Sequence, residues 1–565
     1  MFCSHRALQN NDILHEIFTW LRPHVLHDDP TPEEEERRKD ARQDLLSMAL
    51  VCKTFSEHAL DALWRELDDL LPVMQLFTES HDLEGDGITV GGLAGGLAGG
   101  QDVSHFNHLI SEHEWTRFRH YARRVRIIRS SGFGTFEASM LLHLGRRNTG
   151  KALFPCLRCL THTVRSNQDT GLLSLVTPTL EDVKLEFCGE TWSGTENIES
   201  PAIARKVRDY AVQLCLSTVC SNVPELRLLT ITGLGRISSL APLLPCAHLE
   251  ELHVQDAVLG PRSLRTLASI DSLHELDMSF ELTDYEFSSC SGLTNLRSLS
   301  LSGPMYQIPT ILDMVSSTHV RTVRIADPSN KATYKECTEC VQVASKFPLL
   351  DEFFLVADNG FSFSESLDGP HFVNTSVPLT ELIRPLLRHR SLRTLSISRW
   401  QPGGFGFSDA DVETLATAWP GIVTLMLTVN RAEAVPSLNA LVVLARSCPA
   451  LRTLELPSIT IASAEQLRPP DPPPAPHGLR TFEVGDPDRR TEDFDAKELA
   501  RWLVALFPRF RMPGDCEDFP EFLAKLLGEL QRLQSEAPST APSEPEEDAV
   551  AAAEQEEEEG RASSP

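Results

Sequence analysis

The sequence predicts an α/β solenoid: short parallel strands with helical or irregular returns, preceded by a small all-α module and followed by a disordered tail. Three observations carry this expectation. A leucine-spaced hexapeptide recurs at a near-constant period through the middle of the chain. The first 67 residues do not follow that repeat but show helical apolar spacing. Residues 536–565 are acidic and nearly free of large apolar side chains.

The N-terminal module spans residues 5–67. Asn11 and Asp12 can cap a helix whose apolar face is Ile13, Leu14, Ile17, Phe18 and Leu21. An insertion over about 22–43 follows, holding Pro23, Pro30, Pro32 and an acidic-then-basic run from Glu33 to Lys39. A second apolar stretch covers residues 45–55. A third, over 59–67, puts Leu60, Leu63, Trp64 and Leu67 on one helical face. Three short helices make a small core, so their leftover apolar surface belongs against a partner.

This stretch resembles an F-box of the form common in fungal proteins. The matching features are Leu8, the Asp-Ile-Leu-x-Glu-Ile-Phe start from Asp12 to Phe18, Leu21, Leu50-Val51-Cys52-Lys53, Phe55 and Leu63-Trp64. Two departures are plain: Gln9 stands where the family has Pro, and the 22–43 insertion separates the first helix from the rest. The resemblance implies binding to a Skp-type adaptor and through it to a cullin–RING ubiquitin ligase. The adaptor-binding residues it implies are Leu8, Ile13, Leu14, Ile17, Phe18, Leu21, Leu50, Val51, Cys52, Phe55 and Trp64.

Residues 68–150 read as a linker and lead-in, with a Gly-rich loop at 91–100. The solenoid is expected over 151–490. Its clearest hexapeptides are Leu226-x-x-Leu229-x-Ile231, Leu249-x-x-Leu252-x-Val254, Leu273-x-x-Leu276-x-Met278, Leu296-x-x-Leu299-x-Leu301 and Val320-x-x-Val323-x-Ile325, starting 23, 24, 23 and 24 residues apart. The pattern continues with wider steps from Leu350, Leu392, Ile422, Leu451 and Leu479. Upstream it fits at Leu180 and, degenerately, at Leu157, for eleven or twelve repeats. The step of 46 from Leu180 to Leu226 leaves room for one repeat with a long helix or for two with one eroded. Return helices are predicted over 204–219, 337–347, 379–387, 410–419 and 438–447, with Pro348, Pro420 and Pro449 as stops.

These hexapeptides resemble the leucine-rich-repeat family. That resemblance implies a short parallel strand per repeat, with the first, fourth and sixth positions inward and the residues between them on a concave face. Partner-binding candidates there are Glu251, His253, Glu275, Asp277, Arg324, Phe354 and Met426. A basic segment of a partner is expected to dock near Glu251, Glu275 and Asp277. The joint layout implies a substrate-recognition adaptor of a Skp–cullin–F-box type ligase, with no catalytic residue of its own. The alternative is a repeat scaffold that binds protein without any ligase link.

A helical cap is expected over 491–535, with apolar faces at 497–507 and 519–533, and the acidic tail runs over 536–565. That tail has ten acidic residues and one basic. The whole chain has 565 residues and a formal charge of −28, which argues against nucleic acid as a partner. No apolar run approaches the ~20 residues of a membrane span, and the start lacks a signal-peptide layout. Thirteen scattered cysteines suit a reducing compartment, so a cytoplasmic or nuclear location is expected.

Three motifs suggest chemistry that their context does not support. Gly145-Arg-Arg-Asn-Thr-Gly-Lys151-Ala152 nearly matches a phosphate-binding loop, but Ala152 lacks the hydroxyl that would hold Mg²⁺. Cys156-x-x-Cys159 and Cys337-x-x-Cys340 are each half a zinc site, about 180 residues apart. No cofactor, metal or catalytic residue is expected.

Overall fold

The computed structural model describes residues 10–22, 31–77, 110–130, 135–165, 171–188, 200–237, 239–283, 290–329, 332–357, 378–399, 406–429, 435–460, 477–484, 496–508, 510 and 528–533. Leu8, the Gly-rich loop, most of 519–533 and the acidic tail lie outside them. The chain divides into two compact units. The first is Met1–Asp368 with Leu382–Leu392 and Ile397–Trp400. The second is Gly369–Glu381, Arg393–Ser396 and Gln401–Pro565. Fifteen strands are described, and every strand pair with a defined register is parallel.

The first unit opens with three helices: α1 (Asn11–Trp20), α2 (Pro32–Ala49) and α3 (Lys53–Leu63). Leu14, Phe18, Leu45, Ala59 and Ala62 form their core, with Leu21, Met48, Phe55 and Leu63 packed around it. The cap of α1 is Asn10, one residue before the expected pair: its Oδ1 accepts from the Asp12 amide at 2.9 Å. The insertion also reads differently in three dimensions. Its second half is the first three turns of α2, started by Pro32 and a capping box in which Thr31 and Glu34 satisfy each other's backbone amides. The third helix ends at Leu63, not Leu67, because Glu66 and Leu67 are already the strand β1.

From β1 (Glu66–Leu67) the solenoid runs through β2 (Ile127–Ser130), β3 (Cys159–Val164), β4 (Asp182–Phe187) and β5 (Leu228–Thr232). It continues through the short β6 (Gly235–Arg236), β7 (Glu251–Leu259), β8 (Glu275–Leu282), β9 (Ser298–Ser302), β10 (Thr322–Ala326) and β11 (Glu352–Ala357). Neighbours pair in sequence order, with β6 set aside against β7. Thus the repeat count missed two strands, β1 at the end of the helical module and β2 in the lead-in.

One register governs these strands. Leu229, Leu252, Leu276, Leu299, Val323 and Phe353 align at the fourth position of successive hexapeptides, and Ile231, Val254, Met278, Leu301, Ile325 and Leu355 at the sixth. All are buried to within 2% exposure, worth about 1.5–3 kcal/mol each in apolar transfer. The second position supplies a further tie. Its carbonyl accepts the second and third amides of the next repeat, as Arg227 does from Glu250 and Glu251 at 2.8 and 2.9 Å. The same pair of bonds recurs from Arg65 through Arg126, Arg158, Glu181, Glu250, His274, Arg297 and Arg321.

The returns vary. The 46-residue step carries one repeat with a long helix, since β4 pairs directly with β5 around the 22-residue helix Pro201–Asn222. Gly233 turns the chain after β5 at φ +67°, where an added Cβ would stand 2.1 Å from the Phe187 carbonyl oxygen, so only glycine fits. After β8, the buried Gln307 side chain stands in for backbone: it accepts from Leu282 N at 2.7 Å and donates to Leu282 O at 3.4 Å.

The division between the units runs through the helix Leu379–Ile383 and β12 (Thr394–Arg399). The second unit continues with β13 (Thr424–Val429), β14 (Thr453–Leu456) and β15 (Thr481–Val484), and β14 pairs with β13 on one side and β15 on the other. Its return helices, Asp409–Ala418 and Leu438–Ser447, match the sequence expectation to within one residue. They are tied by Asp409, which accepts from the Ser437 amide and hydroxyl, each at 2.7 Å. The helix Ala496–Leu506 buries Leu499, Trp502, Leu503 and Leu506, and the following Phe507 and Phe510 meet His477 and Phe482 edge-on at 5.3 and 6.1 Å. That places apolar cover on the last described repeat. Among the described residues, no helix is long and apolar enough to cross a membrane.

Candidate functional site

Two surfaces are candidates: the outside of the helical module and the rows of the sheet between its buried positions. The module divides its predicted adaptor residues by burial. Leu14 and Phe18 are its core, at 0% and 3% exposure, and Leu21 and Phe55 lean against them, Phe55 edge-on to Phe18 at 5.7 Å. By contrast Leu50 is 82% exposed, Val51 67%, and Ile13 and Ile17 each 41%. The structure adds two residues that sequence reasoning left out, Trp20 at 80% and Leu46 at 45% exposure. Ile13, Ile17 and Trp20 follow helical spacing and so form a stripe along α1, about 100° round the helix from Leu14, Phe18 and Leu21. That spacing was the available signal for Trp20.

Cys52 and Trp64 have internal work. The Cys52 sulfur caps α3, accepting from Phe55 N at 3.5 Å. Trp64 stacks on Tyr121 of the helix Glu112–Ala122 at 4.4 Å between ring centroids. Beside it the almost fully buried Arg124 ties α3 to the lead-in, pairing with Glu57 at 2.5 Å and with Asp61. Its hydrogen bond holds the Glu57 carboxyl below the usual range.

The rows between the buried positions follow from the same register. At the fifth hexapeptide position, Arg129, Thr161, Lys184, Thr230, His253, Asp277, Ser300, Arg324 and Phe354 lie side by side. At the third, Glu251 lies beside Glu275, then Ser298, Thr322 and Glu352. Four predicted residues therefore converge: Glu251, His253, Glu275 and Asp277. His253 Nδ1 is 3.6 Å from Asp277 and Nε2 is 4.0 Å from Glu251. The neighbouring Asp277 carboxylate raises the His253 pKa above its ordinary value. The same pairing, with Ser300 beside it, lowers that of Asp277 against the cost of partial burial. Asp182, on β4, is pushed upward, first by burial and then by Glu251. Arg324 and Phe354 form a second pair, with the guanidinium 4.9 Å from the ring centre. Met426 lies in the other unit, half-buried beside Glu455 across β13 and β14.

The near phosphate-loop is the C-terminus of the helix Thr135–Arg147. Thr149 and Gly150 take positive φ there, and the Gly150 amide donates back to the Gly145 carbonyl at 3.3 Å. A helix C-terminus presents carbonyl oxygens, the wrong polarity for phosphate. Cys337 and Cys340 are buried, and the Cys340 thiol donates to the Met305 carbonyl at 3.4 Å. Burial pushes the Cys159 thiol up to about 11. Among the described residues, no three His, Cys, Asp or Glu side chains converge as metal ligands would.

No protein-family model matches this chain. No curated protein matches it either. Among solved structures it is similar to an internalin from Listeria monocytogenes, at 13% identity over 70% of this chain and 93% of that one, with a TM-score of 0.31. It is similar to a yeast Rad7 and Elc1 complex at 15% identity over 62% and 84%, TM-score 0.31. It is also similar to a leucine-rich-repeat protein of Leptospira interrogans at 14% identity over 64% and 91%, TM-score 0.27.

Proposed function

We propose that the protein is a binding adaptor: the repeats select a protein substrate, and the helical module recruits a Skp-type adaptor and, through it, a cullin–RING ubiquitin ligase. The observation that carries the reading is the exposed apolar set on the module, Ile13, Ile17, Trp20, Leu46, Leu50 and Val51. Solvent exposure of this much aliphatic and aromatic surface is costly unless a partner covers it. The resemblance of the surrounding residues to an F-box supports a Skp-type adaptor as that partner. The protein supplies no chemistry in this reading and acts by raising the effective concentration of a substrate beside the ligase.

The substrate side rests on the concave rows. Glu251, Glu275 and Asp277 favour a basic segment, while Arg324 stacked on Phe354 offers a neighbouring apolar-cationic point. Phe354 and Met426 are apolar points on the concave rows of the two units.

Co-purification tests the reading. Full-length protein should retain a Skp-type adaptor, and Leu50→Asp with Val51→Asp should lose it while the circular dichroism spectrum is unchanged. Failure of the intact chain to bind would leave the rival, a repeat scaffold without a ligase. Charge reversal at Glu275→Lys and Asp277→Lys should change the captured partners. An unchanged partner profile would remove the basic-segment assignment.

A further inference from the structure

The 22-residue helix Pro201–Asn222 returns the chain from β4 to β5, and nothing in the proposed function uses its outer side. Its inner side is core: Val212, Leu216, Val219 and Cys220 are buried. The outer side is apolar as well. Ile203 is 55% exposed, Tyr210 72% and Leu214 51%, with the half-buried Val207 in line with them. Positions 203, 207, 210 and 214 step by 4, 3 and 4 residues. That is the spacing of a seam that packs against a second helix. Grouped exposure of large apolar side chains marks an interaction surface rather than scatter.

The two edges of the seam differ. Ala204 and Ala211 flank one side, where small side chains let a second helix come close. Lys206 flanks the other, and beyond it an open pocket is lined by Arg205, Lys206, Asp209, Arg236, Gly260 and Thr283. Arg236 is carried there by β6, which pairs with the far half of β7. Arg205, Lys206 and Arg236 are exposed, and their side chains make no ion pair among the described residues. Asp209 is already engaged. Two further side chains hold the helix in place: Arg208 donates to the Gly233 carbonyl and Gln213 to the Ser239 carbonyl. In a chain with a formal charge of −28, three exposed cations beside an apolar seam are a local reversal of sign.

We propose that this face docks an amphipathic helix of a partner protein. The partner's apolar seam lies against Ile203, Val207, Tyr210 and Leu214, and its Asp or Glu residues line the edge that meets Lys206, Arg205 and Arg236. The 4-3-4 spacing selects a helix, and the free cations select its charge. A nucleic acid would meet the cations but leave Tyr210 and Leu214 in water. A neutral apolar helix would cover Lys206 without supplying a counter-charge. A second copy of this helix would bring the same cations to the interface. This inference does not depend on the ligase reading.

The test uses the full chain against a displayed library of helical peptides of about 18 residues, with a fixed leucine seam and randomised flanking positions. The parent should enrich peptides with Asp or Glu along one edge. Lys206→Glu with Arg236→Glu should enrich Lys or Arg there instead. An acidic peptide selected on the parent should bind that variant at least about tenfold more weakly by fluorescence anisotropy. Tyr210→Asp with Leu214→Asp should weaken the same peptide at least about tenfold, with the circular dichroism spectrum and melting temperature of the parent. The proposal fails if no peptide is enriched, if both charge forms select the same sequences, or if the Tyr210 and Leu214 variant keeps the peptide. A marked fall in that variant's melting temperature would make the seam an internal contact and overturn the proposal too. So would a parent dimer in sedimentation that the same variant abolishes, since a second copy would then own the face.

Discussion

The repeats and the helical module solve the same problem in opposite ways. In β5 to β10 each apolar residue at the fourth and sixth positions meets its counterpart on the next strand, and almost none of that surface sees water. The module has only α1, α2 and α3, with a core of five small and medium residues. It leaves Leu50, Val51, Trp20, Ile13 and Ile17 outside. Stacking lets a repeat hide its apolar face against a copy of itself, whereas three short helices have no copy to stack on. Exposure therefore means different things in the two regions: the inward strand positions of these repeats hide their apolar side chains, whereas the module groups Leu46, Leu50 and Val51 at its surface.

Substitutions can break this contrast at either end. The largest effect belongs to the stack. Leu276→Ala should cost about 3 kcal/mol by urea unfolding, because both neighbouring strands are packed against it and the cavity cannot collapse. Truncation outside the module core should read the other way. Leu50→Ala with Val51→Ala should shift stability by no more than about 0.5 kcal/mol while weakening adaptor capture at least about tenfold in a titrated pull-down. A stability loss comparable to that of Leu276→Ala would make those residues structural and dissolve the comparison.

Two smaller effects sharpen the picture of the half-buried strand rows. A double-mutant cycle on Arg324→Ala and Phe354→Ala should return a coupling of about 0.5–1 kcal/mol, the size of a partly exposed cation–π contact. The His253–Asp277 pair gives a pH signature. His253 is raised above its ordinary 6.5, so its stabilisation is fully present below that value and fades as pH rises through the higher folded pKa. Asp277 is depressed below its ordinary 3.8, so its share is present above that value and fades only as pH falls through the lower folded pKa. Between pH 6 and 8 the parent should lose a fraction of a kcal/mol that His253→Gln does not, measured as the difference between their melting curves. Parallel curves would mean that the pair is solvated and inert.

The sequence discloses those parts of the fold where side-chain identity is dictated by the strand pleat. Hexapeptides starting at Leu226, Leu249, Leu273, Leu296 and Val320 were readable because inward positions tolerate little besides large aliphatics. The pattern blurs toward the N-terminus for a physical reason. In β2 the inward sequence is Val125-x-x-Ile128-x-Ser130, and in β3 it is Leu157-x-x-Leu160-x-His162, so a buried polar residue holds the sixth position in both. A leucine template passes over the first and catches the second only in degenerate form at Leu157. In β1 the fourth position is Leu67, and the register puts Trp64 at the first, which explains why its ring faces Tyr121.

The proposed adaptor site was legible as a segment but not as a surface. Leu14 and Leu50 look equivalent in composition, and only packing assigns one to the interior and the other to solvent. The tie between α2 and the start of the solenoid was not legible at all: Arg38 stands in a stretch that reads as an insertion, and nothing in the sequence places it beside Glu66 and Asp68.

The uniform register also bears on how such a chain can change over generations. From β7 to β10 the strand starts recur every 23 or 24 residues, and every strand hands the next the same pair of amide bonds and the same two apolar contacts. A genetic exchange out of step by one such length would delete or duplicate a whole rung while leaving the joints on both sides matched. The reading surface can therefore be lengthened, shortened or reshuffled without inventing a new core. Single changes at the third and fifth positions then adjust what each rung displays.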